Sequence, residues 1–193
     1  MIAELPPEVA PEVARRIRLV VLDVDGVMTD GGIYLGATAS GDPVELKRFN
    51  VQDGLGIRLL QSAGITVAIV TARQSGAVAQ RAAELGIAEC HQNRGVPKRT
   101  VVQAMLDRLG IAWEETAFLG DDLPDYPVLR RVGLAAAVGN AVREVRVAAQ
   151  WQGVRRGGDG AVREFVEALL RGRGTWSHVV NEYLNGLDPR EAA

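Results

Sequence analysis

The sequence predicts an α/β fold, a doubly wound (Rossmann-like) parallel sheet, and three observations carry that reading. Short apolar runs alternate with amphipathic stretches along most of the 193 residues. The runs are apolar throughout, as expected of strands covered on both faces. Each is followed by polar or Gly residues, which puts a row of loops at one common end. Residues 18–24 (RLVVLDV) are the first predicted strand, then 65–71 (ITVAIVT), a shorter 88–91, 116–120 (TAFLG) and 134–138 (LAAAV). Between them, 53–62, 75–85, 96–109, 124–132 and 142–149 repeat apolar residues every three or four positions and are the predicted helices. Ser75 suits an N-cap, Gly64 and Gly86 suit helix stops, and Pro124 suits a first helical position.

Residues 32–49 (GIYLGATASGDPVELKRF) break the alternation: two apolar stretches flank a Gly/Ser/Asp/Pro-rich centre, which predicts an inserted β-hairpin. A hairpin of that size cannot bury its own apolar residues, so it must pack on the main core or on another chain, and another chain is the favoured partner. After a Gly-rich joint at 157–160, read as a flexible hinge, come helix patterns at 161–170 and 176–184, the second with exposed-looking Trp176 and Tyr183. The expected organisation is one domain over 1–193, with the hairpin at 32–49 and a docking tail at 173–193.

Composition narrows the function. With 47% hydrophobic and 24% charged residues the chain is too apolar to be disordered. A net charge of −2 gives no pull toward nucleic acid or an anionic membrane surface. Cys90, with His91 and His178, makes neither an internal disulfide nor a zinc site of the usual kind, so any metal must be held mainly by carboxylates. The start MIAELPPEVAPEVARR carries Glu4, Glu8, Glu12 and three prolines where an export signal needs a basic start and an apolar run. No apolar run approaches the roughly 20 residues of a membrane span. The expectation is a cytoplasmic protein.

In an open parallel sheet the ligand crevice lies beyond the carboxyl ends of the strands. There the sequence places Asp23 and Asp25, Thr71 and Arg73, and Asp121, Asp122 and Asp125, with Lys98 opening an intervening helix. Crowding such carboxylates without a cation costs on the order of several kcal/mol. A hard divalent ion with oxygen ligands relieves it, and magnesium suits a site that also admits phosphate. An Asp-x-Asp alone is as often a solvated loop or a cap; its convergence with a Thr, a Lys and a second acidic group favours phosphoryl transfer. Asp23 would attack phosphorus, Asp25 would protonate the leaving alkoxide and later deprotonate water, and Thr71 and Lys98 would hold the other oxygens. Gly26 would let the chain turn sharply beside the phosphate.

DVDGVMTD, VTAR, Lys98 and GDDLPD resemble the four motifs of the haloacid dehalogenase superfamily of phosphotransferases. The short hairpin in place of a cap domain, FNVQDGLGIRLL, RAAELGI and GGDGAVRE further resemble the capless 3-deoxy-D-manno-octulosonate 8-phosphate phosphatases, over about residues 18–183. The resemblance implies a fold of the haloacid dehalogenase type without a cap domain. It implies Mg2+ bound by Asp23, the main-chain carbonyl of Asp25, and Asp121, with Asp122 and Asp125 in support. It implies a homotetramer assembled through the hairpins, whose C-terminal tail reaches a neighbour's site. Thr29, Asn50, Gly54 and Arg73 are expected to border a small phosphorylated sugar-acid substrate. One position departs from the family pattern GGRGAVRE: Asp159 stands in place of Arg, and would repel a sugar carboxylate unless Arg155, Arg156 or Arg163 substitutes. The expected activity is therefore a sugar-acid phosphatase of lipopolysaccharide inner-core synthesis, with a nine-carbon ulosonate 9-phosphate as the alternative substrate. Two other classes compete. A receiver domain would carry its accepting Asp between the acidic pair and the Thr, an order this chain lacks. A non-catalytic complex subunit would have no need of both Asp23 and Asp25.

Overall fold

The structure, a computed structural model, describes residues 8–187. Glu4 and the last six residues of the tail lie outside the described residues. Six strands form one parallel sheet: β1 (Leu19–Leu22), β4 (Thr66–Thr71), β5 (Glu89–Gln92), β6 (Thr116–Gly120), β7 (Leu134–Ala137) and β8 (Trp151–Gln152). Their order is β5-β4-β1-β6-β7-β8. β1 is central, with Leu22 in register with Ile69 of β4 and Leu119 of β6, so the strand carrying the first aspartates lies between those carrying Thr71 and Asp121. The apolar run of β1 is buried at every residue because helices cover both faces.

On one face α2 (Val51–Ser62) packs along α7 (Ala161–Arg173), joined by α1 (Pro11–Ala14) and α8 (Trp176–Leu187). α3 (Gly76–Glu84) lies beside α2, where the side chains of Arg81 and Leu85 crowd Gly54. α4 (Lys98–Leu109), α5 (Tyr126–Leu129) and α6 (Arg143–Ala148) contact one another in sequence on the other face, where right-handed crossovers toward the opposite sheet edge put them. Phe118, Leu119, Phe165 and Leu169 are among the largest fully buried side chains, and truncating a residue of this kind to Ala costs about 2 to 5 kcal/mol.

The doubly wound fold, the hairpin and the helix order match the sequence reading, with these differences. β1 stops at Leu22, because after Asp23 the backbone coils through residues 24–28, with Gly26 at φ 94°. The helix expected over 124–132 divides into a single 3-10 turn at Leu123–Asp125 and the short α5, each with a proline in its first turn. β8, only two residues long, has no pattern of its own in the sequence. The joint at 157–160 is not a loose hinge: Gly157 and Gly158 are buried, and Gly158 N–H donates to Val27 O at 3.1 Å. Ser75 takes the N-cap position of α3 without a side-chain cap bond. Gly64 and Gly86 follow their helices at φ 76° and 66°.

The hairpin pairs β2 (Tyr34–Ala37) with β3 (Pro43–Leu46), and an isolated bridge between Thr29 and Phe49 closes its base. Each face carries an apolar residue uncovered within this chain: Leu35, opposite Glu45, is 77% exposed, and Leu46, opposite Tyr34, is 62% exposed. Trp176 behaves differently from the sequence expectation. It is half-buried, with the guanidinium groups of Arg163 and Arg171 over its ring at 5.2 and 5.3 Å, whereas Tyr183 is exposed as expected.

Candidate active site

The site is built where β1, β4 and β6 end together. Asp23 leaves β1 with its N–H bonded to Leu119 O of β6, which fixes its backbone against the strand that delivers Asp121. Its Oδ1 lies 2.7 Å from Lys98 Nζ, and Lys98 also meets Asp125 Oδ1 at 2.6 Å. Asp23, Lys98 and Asp125 are all buried. The carboxylates of Asp23, Asp121 and Asp125 each offer an oxygen within 4.8 Å of the others. Burial first, then repulsion from Asp125, raises the Asp23 pKa to about 7. Burial, Asp23 and Asp125 likewise raise Asp121 to about 8. Lys98 is raised too: burial opposes its charge, but Asp23 and Asp125 outweigh it. Three carboxylates thus face a single ammonium.

Two observations fit a hard divalent cation to this cluster. Asp121 Oδ1 is buried without a hydrogen-bond partner, and all candidate ligand atoms are carboxylate oxygens, the donors magnesium takes. Asp125 is already committed. Its Oδ2 accepts from the N–H groups of Asp121 at 3.0 Å and Asp122 at 3.4 Å, and so shapes the loop that presents Asp121. Asp122 accepts from Leu123 N–H at 2.7 Å as the cap of the following turn.

Asp25 points to different company. Its Oδ1 accepts from Lys47 Nζ, and its Oδ2 accepts from the Thr71 hydroxyl at 3.5 Å. Arg73 Nε lies 3.9 Å from the same Oδ2, and Arg73 also pairs with Glu45 at 2.7 Å. The extended alternation that starts Asp23 and Asp25 on one side is undone by the turn at 24–28. A Cβ at Gly26 would stand 2.1 Å from Asp121 Oδ2, so this glycine serves both its positive φ and the approach of the acidic loop. The turn is braced from behind: a Cβ at Gly157 would stand 1.7 Å from Gly26 O, and Gly157 N–H donates to Asn140 Oδ1 at 2.7 Å.

Of the four residues expected at the substrate, Arg73 sits at the crevice beside Asp25. Thr29 is 1% exposed and its hydroxyl donates to Val24 O at 3.1 Å, inside the turn. Asn50 caps α2 by accepting from Gln52 N–H and donates to Gly158 O at 3.4 Å. Gly54 leaves room for Arg81, whose Nη2 would be 2.4 Å from a Cβ there. These three hold the frame around the site. Lys47 and Glu45, which the sequence reading did not single out, reach it from the hairpin. Their one signal is spacing: residues two apart on a strand share a face, opposite the outward Leu46. Asp159 does not present a bare charge, since Arg48 pairs with it at 2.8 Å.

Residues 55–133 match the family described as haloacid dehalogenase-like hydrolase. The chain is 44% identical, over 161 residues and 83% of each chain, to the 3-deoxy-D-manno-octulosonate 8-phosphate phosphatases KdsC of Salmonella typhi and Escherichia coli K12. The chain belongs to the KdsC family of haloacid dehalogenase-like hydrolases. It is a phosphoric monoester hydrolase. Among solved KdsC structures, the Moraxella catarrhalis enzyme in complex with magnesium, phosphate and KDO superposes with a TM-score of 0.83 at 36% identity, covering 90% of this chain and 97% of that one. The cobalt-bound Haemophilus influenzae enzyme gives 0.78 at 36% identity, covering 86% and 94%. The receiver-domain alternative falls with this membership. Among the described residues, no helix is long and apolar enough to cross a membrane.

Proposed function

We propose that this KdsC-family enzyme hydrolyses 3-deoxy-D-manno-octulosonate 8-phosphate to the free sugar acid and phosphate in the cytoplasm, serving the lipopolysaccharide inner core. The observation that carries the chemistry is the separation of two carboxylate groups, Asp23 with Asp121 and Asp125 around Lys98, and Asp25 apart from them. In this reading the Asp23 and Asp121 carboxylates and the Asp25 main-chain carbonyl hold Mg2+, with Asp122 and Asp125 supporting them. When bound, magnesium supplies neutralisation of the phosphate charge. An Asp23 oxygen attacks phosphorus and the ester P–O bond breaks, while Asp25 gives its proton to the departing sugar oxygen. Asp25 then takes a proton from the water that attacks the aspartyl phosphate, which returns Asp23 and releases inorganic phosphate. Thr71 and Lys98 hold phosphate oxygens, and Arg73 borders the sugar. The pairing of Asp159 with Arg48 removes the bare negative charge that the sequence would set against a sugar acid. The exposed Leu35 and Leu46 of the hairpin support association of copies into a homotetramer.

The test is a panel of phosphorylated 2-keto-3-deoxy acids ranked by kcat/KM. The eight-carbon 8-phosphate should lead, and preference for the nine-carbon 9-phosphate would move the substrate assignment. Asp23→Asn should lower turnover by on the order of 10⁴-fold, with unchanged circular dichroism. Retained turnover would remove Asp23 as the nucleophile.

A further inference from the structure

Lys47 belongs to an exposed insert, yet its side chain is only 1% exposed. Its ammonium meets two carboxylates, Asp25 Oδ1 and Glu45 Oε1, the latter at 3.2 Å. Arg73, at the end of β4, closes the ring by reaching Glu45 Oε2 at 2.7 Å and approaching Asp25 Oδ2 at 3.9 Å. Two anions and two cations therefore balance, and none of the four needs a metal. Burying an ammonium is costly, and the arrangement persists only where its partners are held in good geometry. Among the described residues, the hydrogen bonds to the Asp25 carboxylate come from Lys47 and Thr71, and neither lies on Asp25's own turn. That turn runs through a glycine at φ 94° next to Asp25, so the backbone alone does not aim the side chain. A divalent ion in the neighbouring cluster would attract a free carboxylate two residues from Asp23.

We infer that Lys47, held by Glu45, is a positioning residue for Asp25: it keeps that carboxylate on the leaving-group side of the crevice and out of the metal cluster. The inference rests on the reading in which Asp25 transfers the proton. It gives the inserted hairpin a second task, since its stem completes the site from within the same chain while Leu35 and Leu46 stay exposed.

A double-mutant cycle tests it. Wild type, Lys47→Met, Asp25→Ala and the double variant are assayed with the sugar phosphate and with p-nitrophenyl phosphate, whose leaving group departs without help from an acid. Lys47→Met should lower kcat on the sugar phosphate by about 10²-fold with KM little changed. The loss on p-nitrophenyl phosphate should be smaller, Lys47→Arg should recover part of it, and in the Asp25→Ala background Lys47→Met should cost nothing further. A full additional loss in that background overturns the inference, as does a rise in KM with kcat kept. If Asp25→Ala itself retains sugar-phosphate turnover, the proton-transfer reading falls first and the inference with it. Where Lys47→Met fails to fold, Glu45→Gln replaces it, since it keeps the shape of a less buried partner. It should lower sugar-phosphate turnover by about 10-fold, and the same loss in the Asp25→Ala background would overturn the proposal.

Discussion

The two aspartates of the first motif stand two residues apart and live in opposite electrostatic settings. Around Asp23 three carboxylates share one ammonium, and two of the three are pushed well above the usual carboxylate range. Around Asp25 two carboxylates are matched by Lys47 and Arg73. The comparison teaches where a cation is wanted. One half of the crevice is left short of positive charge by construction, and in the other the charges are already matched, so a divalent ion has one place to go.

The largest effect that could break this contrast is loss of the cation. Chelation should abolish turnover, with magnesium restoring it. Asp121→Ala should lower kcat/KM by on the order of 10³-fold while keeping the fold. Magnesium should raise the melting temperature of the wild type by several degrees and leave that of Asp121→Ala unmoved. An equal rise in both would place the ion elsewhere.

Next comes the hinge between the two halves. Gly26→Ala puts a methyl against Asp121 Oδ2 and loads a residue at φ 94°. A stability loss of about 1 to 3 kcal/mol and at least about 10²-fold lower kcat are expected, read by thermal melts and steady-state kinetics. A silent substitution would show that the two halves are not coupled through this turn.

The smallest effect sharpens the contrast from outside. Asp53 of α2 accepts from Arg163 N–H at the start of α7 at 2.8 Å, with Arg155 as the opposing charge. Burial still raises its pKa to about 6. The folded state therefore holds a proton that the unfolded chain releases near 3.8, and the stability this adds is complete below pH 4 and lost as pH rises through 6. Asp53→Asn keeps the accepted bond and should remove on the order of 2 kcal/mol of that pH dependence, measured by denaturant melts between pH 4 and 7.5. An unaltered slope would assign the dependence to the acidic cluster instead.

Much of this was legible in the chain. Parallel strands buried on both faces write themselves as unbroken apolar runs, and the residues at their ends point to one crevice, so Asp23, Thr71 and Asp121 are placed together from sequence alone. What stayed hidden depends on long-range packing. Lys47 and Glu45 look like the solvated face of a hairpin until the tertiary fold sets that face on Asp25. Residues 157–160 look loose because glycines are conformationally free, whereas Gly157 and Gly158 are glycines because the Gly26 carbonyl and the backbone of Thr29 and Asp30 leave no room for a side chain. Asp159 reads as repulsive until Arg48, far away in sequence, is seen beside it.

That brace has a bearing on when the protein becomes competent. Gly157 and Gly158 press on residues 26–30 from the far end of the chain, so a polypeptide still on the ribosome carries its motif aspartates for most of synthesis without the support that shapes them. Nascent chains and products of early stop codons should therefore be inert toward phosphate esters, and competence should arrive in one step once α7 has emerged and docked.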